Sequence, residues 1–263
     1  MTRYLNYLEA KKSLDDTAID CDVLTQVFST LPPEPTILEI GTGTGTMIDR
    51  ILDWELLTDG SWIAIDSNDK AISMAKNKVT TRPKASSAKH GVDVGNLTIE
   101  FVTDDAFTAI RQQCSADIII GCAFFDLIDV QRLLKVGEQT EFVYAPITYN
   151  GRTIFYPAHP ADAEIIAAYH RHMRTYRPGT SHGGVALLQN LSEVISVGNS
   201  TWRISCPYTQ GERLILSVIL ETIENAVSEF DVDTTDWVET RQAQCRAGEL
   251  RYQADNLDIF GRI

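Results

Sequence analysis

The sequence predicts an α/β fold in which helices cover both faces of a mostly parallel sheet. Two observations carry this prediction. Short, continuous runs of apolar residues recur between residues 36 and 147, as is typical of strands that are buried on both faces. Segments with apolar residues three and four positions apart, typical of amphipathic helices, separate these runs. Regular alternation of such strands and helices is the pattern of a doubly wound parallel sheet.

Five apolar runs mark the predicted strands, and the segments between them mark the helices. The strands are predicted at residues 36–40, 61–66, 97–102, 116–121 and 140–147. The helices are predicted at residues 45–57, 68–79, 106–113 and 126–135. The polar stretch 80–96, which contains proline and glycine, is predicted to be a loop.

The whole chain, residues 1–263, is predicted to form a single domain that contains two smaller units. Residues 1–35 are predicted to form an N-terminal helical segment that packs on the sheet edge. Residues 149–182 are predicted to be an inserted cap, irregular up to residue 160 and helical at 161–175. The remaining predicted elements are helices at 183–191, 212–229 and 237–247 and strands near 193–197 and 250–260, which complete a seven-stranded sheet that residues 202–205 extend.

The composition argues against several classes of function. The chain has 263 residues with 23 basic and 36 acidic side chains, a net charge of −13, which is unfavourable for binding nucleic acid. No stretch is long and apolar enough for a membrane span or a leader, so we expect a cytoplasmic protein. The scattered cysteines indicate reduced thiols and no metal site; they are Cys21, Cys114, Cys122, Cys206 and Cys245.

A glycine-rich turn joins the first predicted strand to the helix that follows it. The turn runs from Glu39 to Gly45 and has glycine at positions 41, 43 and 45. Glycine lets the backbone turn sharply and lets a ligand approach without meeting a Cβ atom. A dinucleotide-binding turn would place its third glycine at position 46, where this chain has Thr46. Glycine-rich turns also occur where a helix packs on a sheet without any ligand.

The pattern Glu39-x-Gly41-x-Gly43-x-Gly45 resembles the first motif of class I S-adenosylmethionine-dependent methyltransferases. The resemblance implies that Gly41 and Gly43 approach the methionyl part of this cofactor, with Thr42 and Gly45 in the same turn. It also implies that Glu39 holds the ammonium group of the cofactor, directly or through water. For residues 1–35 the resemblance implies a position across the cofactor, which is the alternative to packing on the sheet edge.

Two later segments fit the adenosine part of the same cofactor. Asp66 ends the second predicted strand and precedes Ser67, and a carboxylate there can accept hydrogen bonds from both ribose hydroxyls. The alternative role for Asp66 is to cap the next helix, which Ser67 or Asn68 can equally do. Asp105 and Ala106 resemble the motif that meets the adenine ring, although Asp104 stands where that family usually has a small residue.

The segment after the fourth predicted strand, Cys122–Leu127, resembles the loop that lies over the cofactor's sulfonium group. It lacks the Asn-Pro-Pro-Tyr pattern of the enzymes that methylate adenine or glutamine amino groups and the Pro-Cys pattern of those that methylate cytosine. These absences favour a small-molecule acceptor. For acceptor contact or proton transfer the sequence offers Asp126, Tyr149 and His159. Other aromatic and histidine residues of the cap are Phe155, Tyr156, Tyr169, His170 and His172.

Three other functions remain open at the level of sequence. An aminopropyl transferase would use a decarboxylated form of the cofactor and an acidic pair after the fourth strand. That pair is not evident here, since Asp126 and Asp129 lie on a predicted helix. An NAD-dependent dehydrogenase has a similar fold, but Thr46 argues against it. A cofactor-binding scaffold without catalysis is the third alternative.

Overall fold

The structure is a computed structural model that describes residues 2–113 and 115–263, so Cys114 lies outside the described residues. Its strands are β1 (Thr36–Ile40), β2 (Asp59–Asp66), β3 (Ala85–Ser87), β4 (Val92–Val94), β5 (Asn96–Thr103), β6 (Ile118–Ile120), β7 (Phe142–Tyr156), β8 (Glu193–Asn199), β9 (Trp202–Ile204) and β10 (Arg251–Arg262). Its helices are α1 (Thr2–Ala18), α2 (Cys21–Thr30), α3 (Thr46–Asp53), α4 (Asp69–Thr80), α5 (Ala106–Gln112), α6 (Val130–Val136), α7 (Asp162–Tyr176), α8 (Gly183–Leu188), α9 (Gln210–Val227) and α10 (Thr235–Ala247).

The described strands form one sheet in the order β3-β4-β5-β2-β1-β6-β7-β10-β8, with β9 also paired to β10. The five central strands, β5 to β7 in this order, are parallel, whereas β10 is antiparallel to both of its neighbours, β7 and β8. The predicted doubly wound, mostly parallel sheet is therefore confirmed, but it has ten described strands instead of the predicted seven, because the short strands β3, β4 and β9 also pair with it. After β1 the chain adds β2 and β5 on one side of β1, and it later returns to add β6 and β7 on the other side. In such sheets ligands bind in the crevice at this reversal, at the carboxyl ends of the strands.

The central strands are buried on both faces, as their continuous apolar sequence predicts. In β1, Ile37 and Leu38 are both fully buried, yet they belong to two different apolar clusters because successive side chains point to opposite faces. Residues of α2 and α9 belong to the Ile37 cluster, and residues of α5, α6 and α8 to the Leu38 cluster. Helices therefore cover both faces. None of the helices in the described part of the chain has the length and apolar character needed to span a bilayer.

Two segments differ from the sequence prediction. The predicted loop 80–96 contains the antiparallel hairpin β3–β4, whose three-residue strands are too short and polar to show an alternating pattern. Residues 149–156, predicted to be irregular, are the second half of β7 and pair with β10. That partner lies about a hundred residues later in the chain, and the pairing has a register shift near Asp255, so the local sequence does not reveal the strand.

A buried carboxylate stabilises a bend in β7 at the carboxyl edge of the sheet. Ile147 has a φ of +56°, in the left-handed region that β-branched residues rarely adopt. Its N–H donates to Asp258 Oδ1 at 2.8 Å, and Asp258 Oδ2 accepts from the Asp20 N–H at 2.8 Å and from the Tyr144 hydroxyl. Asp258 is completely buried, and burial raises the pKa of its carboxyl group. The bend directs the chain toward Tyr149 and the second half of the strand.

Candidate active site

The glycine turn lies between β1 and α3 at the reversal of strand order. Gly41, Gly43 and Gly45 have φ values of +66°, +55° and +78°, which glycine adopts without strain. A Cβ atom on Gly45 would lie 2.9 Å from the Cβ of Ala75, so this glycine allows α4 to pack closely. A Cβ atom on Gly41 or Gly43 would instead meet only the side chains of Phe124 and Leu8. The first two glycines are thus the ones that can face a ligand once those side chains move.

Asp66 connects the end of β2 to the glycine turn. Its Oδ2 accepts from the Gly43 N–H at 2.8 Å, and its Oδ1 accepts from the Asn68 N–H at 2.9 Å. Asn68, not Asp66, is the N-cap of α4, since its side chain accepts from the backbone of Lys70 and Ala71. Each oxygen of Asp66 has a second acceptor position left, as binding two hydroxyl groups requires. Ser67 is exposed between these two residues.

Glu39 is buried at the end of β1, with an exposed fraction of 1%. Its Oε2 accepts from the Thr42 hydroxyl at 2.7 Å and from the Trp62 indole N–H at 2.9 Å. Burial raises the pKa of the carboxyl group to about 7, although both hydrogen bonds act in the opposite direction. A positive group beside Glu39 would favour its ionised form. The side chain of Thr42 points to Glu39 and is itself buried.

Asp105 is the N-cap of α5, in keeping with the alternative role of such a residue. Its Oδ1 accepts from the N–H groups of Phe107 and Thr108 at 3.1 and 3.2 Å, which leaves Oδ2 without a capping bond. Ala106 begins the helix and is buried. Asp104 binds the backbone carbonyl of Asp66 through its own N–H at 3.2 Å. This bond places the start of α5 beside the carboxyl end of β2.

Helix α1 lies over the glycine turn. Leu8 Cδ1 is 3.2 Å from the place of a Cβ on Gly43, and Lys78 of α4 binds both Glu9 and the Thr44 carbonyl. Tyr4 is half exposed, and partial burial together with the Asp66 charge raises the pKa of its hydroxyl. Within the predicted N-terminal segment, α1 therefore lies over the glycine turn, whereas α2 packs against β8 and β10 at the edge of the sheet.

The loop after β6 covers Gly41. A Cβ on Gly41 would lie 2.3 Å from Cδ2 of Phe124, so the aromatic ring rests directly on this glycine. Ala123 precedes it with a φ of +51°, an uncommon value outside glycine that turns the chain at this point. Cys122 lies beside α1, and burial raises the pKa of its thiol to about 12. The thiol therefore stays protonated near neutral pH and is not a nucleophile.

Asp126, in the loop after β6, and Tyr149, in the middle of β7, meet beyond the carboxyl end of β6. The Asp126 carboxylate accepts from the Tyr149 N–H, and burial raises its pKa to about 6. The Tyr149 hydroxyl lies 2.7 Å from His170 Nε2 and 2.8 Å from the Thr153 hydroxyl. Burial lowers the pKa of His170 to about 4, so the imidazole is neutral near pH 7. Burial also raises the pKa of the Tyr149 hydroxyl to about 12.

The pairing of Tyr149 with His170 was not predicted, because it depends on how α7 returns over β7. The rings of His170 and His182 are 6.2 Å apart, and His182 Nδ1 lies 3.0 Å from the Ser181 hydroxyl, which also accepts from Arg174. These side chains extend the polar cluster from β7 to the start of α8. The signal in the sequence was only the unusual number of histidine and tyrosine residues in the cap.

His159 does not join this cluster. Its Nε2 is 3.1 Å from Asp236 Oδ2, its Nδ1 accepts from the Ala161 N–H, and its own N–H donates to Asp162. The rise of about 3.3 Å per residue places the end of β7 roughly 20 Å from Tyr149 along the strand. The structure thus brings together two of the three predicted acceptor-site residues. In the described part of the chain no three His, Cys, Asp or Glu side chains are arranged to hold a metal ion.

The architecture is a mostly parallel sheet that helices cover on both faces, with a glycine turn where the strand order reverses. The fold is that of the class I methyltransferases. The predicted resemblance is confirmed at this level.

The chain matches no protein-family model, and no curated protein matches it by sequence. Several solved structures are similar to this chain in fold. The YcgJ protein from Bacillus subtilis is 13% identical, with 92% of this chain and 98% of that chain covered and a TM-score of 0.47.

Two further solved structures with this fold contain a bound ligand. An S-adenosylmethionine-dependent methyltransferase from Thiobacillus denitrificans, in complex with S-adenosylhomocysteine, is 11% identical, with 92% of both chains covered and a TM-score of 0.45. The geranyl diphosphate C-methyltransferase from Streptomyces coelicolor A3(2) is 9% identical, with 92% of this chain and 80% of that chain covered and a TM-score of 0.45. At these identities the likeness concerns the fold alone.

Proposed function

We propose that this protein transfers a methyl group from S-adenosylmethionine to a small-molecule acceptor. The observation that carries the proposal is the convergence of three features at the reversal of strand order. These are a turn with two ligand-facing glycines, a carboxylate on Asp66 with free acceptor positions, and the exposed carboxylate of Asp105 on the neighbouring strand end. A ligand with a ribose and a polar tail fits this series.

The residues present fit the cofactor. Asp66 would accept from the ribose hydroxyls, Glu39 would face the ammonium group, and Asp105 would lie near the adenine ring. When bound, the cofactor supplies an electrophilic methyl group. Phe124 and Leu8 must leave the glycine turn, which they can do because side chains, not backbone atoms, occupy the space.

The acceptor is proposed to bind beside Asp126 and Tyr149, with the cap as one wall of its site. Methyl transfer is an in-line displacement, so much of the acceleration comes from holding the acceptor atom in line with the methyl–sulfur bond. The neutral His170 can accept a hydrogen bond from the Tyr149 hydroxyl and so hold it in place, and Asp126, with a pKa of about 6, can accept a proton from the acceptor itself. We propose Asp126 as the base and Tyr149 as the group that positions the acceptor, with His159 as the alternative base.

The aminopropyl transferase alternative requires two carboxylates after β6 that face one site. Asp126 meets Tyr149, but Asp129 is exposed and caps α6 by accepting from the Arg132 N–H at 3.0 Å. This arrangement favours methyl transfer over aminopropyl transfer.

Calorimetric titration with S-adenosylmethionine, S-adenosylhomocysteine and NAD tests the proposal. We expect both sulfur compounds to bind and NAD not to bind. Gly43→Val should abolish binding, because its side chain would occupy the ligand-facing surface of the turn. Gly95→Val is the matched control: Gly95 has a similar φ of +67°, but a Cβ there meets no atom within 4 Å. NAD binding without a response to either sulfur compound would overturn the proposal.

The acceptor can then be sought with cofactor labelled on the methyl group. Incubation with fractionated metabolites should transfer the label to a small molecule. Transfer of the label only to protein or nucleic acid would contradict the acceptor class.

A further inference from the structure

Strands β7, β10 and β9 pair to form a ribbon. At the end of this ribbon that contains Tyr156 and Arg251, one face is exposed to solvent. The alternating burial of β10 shows the two faces, since Arg251 and Gln253 point outward whereas Tyr252 and Ala254 are buried. Register places Tyr156 opposite Arg251 and Arg203 opposite Gln253. On the β7 side of β10, Ile154 is the residue paired with Gln253. These outward side chains line an open groove of about 450 Å³.

Two arginines of this groove lack a carboxylate partner. Arg203 and Arg251 are exposed, and neither forms an ion pair or a side-chain hydrogen bond with any residue that the structure describes. Arg251 only lies over the ring of Tyr156, 5.4 Å from its centroid. By contrast, Arg152 on the same face is paired with Asp255 at 3.2 Å. In a chain with net charge −13, the groove is a local site of positive charge.

The two guanidinium groups can reach the same ligand. Arg203 is diagonal to Arg251 across neighbouring strands, and such diagonal positions are about 7–8 Å apart. Guanidinium groups bind phosphate and carboxylate oxygens through paired hydrogen bonds. Tyr156 has 58% of its surface exposed and Ile154 has 36%, so a flat apolar surface adjoins the two charges. The groove thus combines anion binding with a platform for a planar group.

We propose that this groove binds a small aromatic anion, with its phosphate or carboxylate between Arg203 and Arg251 and its ring against Tyr156 and Ile154. The site is separate from the candidate active site. Tyr149, Thr153 and Phe155 lie on the opposite, inner side of the ribbon, where Phe155 is buried. The proposal therefore does not depend on the proposed methyl transfer.

Phenyl phosphate, benzoate, inorganic phosphate and phenol are suitable calorimetric probes for the intact protein. We expect phenyl phosphate and benzoate to bind more tightly than inorganic phosphate, and phenol not to bind. Arg203→Gln and Arg251→Gln should each weaken binding of phenyl phosphate by about tenfold or more, since each removes charge-assisted hydrogen bonds. Tyr156→Ala should weaken phenyl phosphate binding but leave inorganic phosphate binding unchanged.

Arg152→Gln is the matched control, because it removes one charge from the same face at a position already neutralised by Asp255. We expect its affinity for phenyl phosphate to equal that of the unmodified protein within about twofold, since a surface ion pair contributes little. Equal weakening in Arg152→Gln and Arg251→Gln would reduce the effect to net charge and overturn the proposal. Absence of phenyl phosphate binding would also overturn it. So would a dimer in sedimentation velocity that Arg251→Gln dissociates, because the groove would then be a contact between copies.

Discussion

Gly41, Gly43 and Gly45 share a left-handed backbone but differ in what surrounds them. Gly45 is in contact with a neighbouring helix, whereas the other two meet the movable side chains of Phe124 and Leu8. The repeated glycine in the sequence thus has two causes, close helix packing and access for a ligand. Only the second cause concerns the proposed function.

Asp66→Ala tests the role of the carboxylate at the end of β2. We expect the affinity for S-adenosylmethionine to fall at least tenfold, because hydrogen bonds to a charged group contribute about 1.5–3 kcal/mol each. The matched control is Asn68→Ala, which removes the N-cap of α4 and should cost about 1 kcal/mol of stability. Calorimetry and urea unfolding measure both quantities. Unchanged affinity in Asp66→Ala would show that this residue only stabilises the glycine turn and does not bind the ligand.

Glu39 predicts a pH dependence of cofactor binding. Below its pKa of about 7 the free carboxyl group is protonated, and the ammonium group of the ligand favours the ionised form. Binding therefore releases a proton, and affinity should rise as the pH increases from about 6 to 8. Glu39→Gln should bind with little dependence on pH over this range. Equal pH profiles for the two proteins, measured by calorimetry, would show that Glu39 does not contact the ammonium group of the ligand.

Tyr149→Phe tests the proposed positioning of the acceptor. It removes the hydroxyl that His170 holds in place, so turnover should fall about 10²-fold while cofactor affinity stays unchanged. His170→Gln should have a similar effect. His159→Ala decides between the alternatives, since the proposal leaves its turnover near that of the unmodified protein. A large loss in His159→Ala together with normal turnover in Tyr149→Phe would assign the base to His159.

At the scale of elements, α1 combines a covering role with a buried ion pair. Lys11 Nζ is 3.1 Å from Asp15 Oδ2, and Asp15 also accepts from the indole N–H of Trp202. Burial lowers the pKa of Lys11, but the Asp15 charge outweighs this effect, so the pKa lies above its usual range. The sequence predicted a helix here but not which charges are buried, because polar and apolar residues are mixed along it.

Lys11→Met is expected to destabilise the protein by about 3–5 kcal/mol, because it leaves the buried carboxylate of Asp15 without its partner. The control is Arg3→Gln on the same helix, whose ion pair with Glu221 is exposed and should contribute less than about 1 kcal/mol. Urea unfolding gives both free energies. Equal, small effects would show that water reaches the Lys11 pair.

At the scale of the molecule, local patterns predicted the five parallel strands and the antiparallel strands β8, β9 and β10, but not the hairpin β3–β4 or the second half of β7. The central strands are continuous apolar runs, so each one is evident without its partner. The second half of β7 carries Gly151 and polar residues, and only the distant strand β10 makes it a strand. The glycine turn and Asp66 were likewise predictable from local sequence. The contact of Tyr149 with His170 was not, since it requires the position of α7.

Ligand binding should stabilise the whole domain. A ligand at one hundred times its dissociation constant adds about 2.7 kcal/mol of stability, which corresponds to a rise in Tm of roughly 5–10 °C for a chain of this size. Thermal unfolding with S-adenosylhomocysteine should show this rise, and NAD should leave the Tm unchanged. The reverse pattern would favour a dehydrogenase.

The ring of Phe124 on Gly41 has a consequence for the speed of binding. The ring must rotate away before a ligand reaches the glycine backbone, so association has one step that does not depend on ligand concentration. The observed association rate then reaches a plateau at high ligand concentration, equal to the rate at which the ring leaves. Ligands of very different affinity share that plateau, and most of the difference between their affinities lies in how slowly they dissociate.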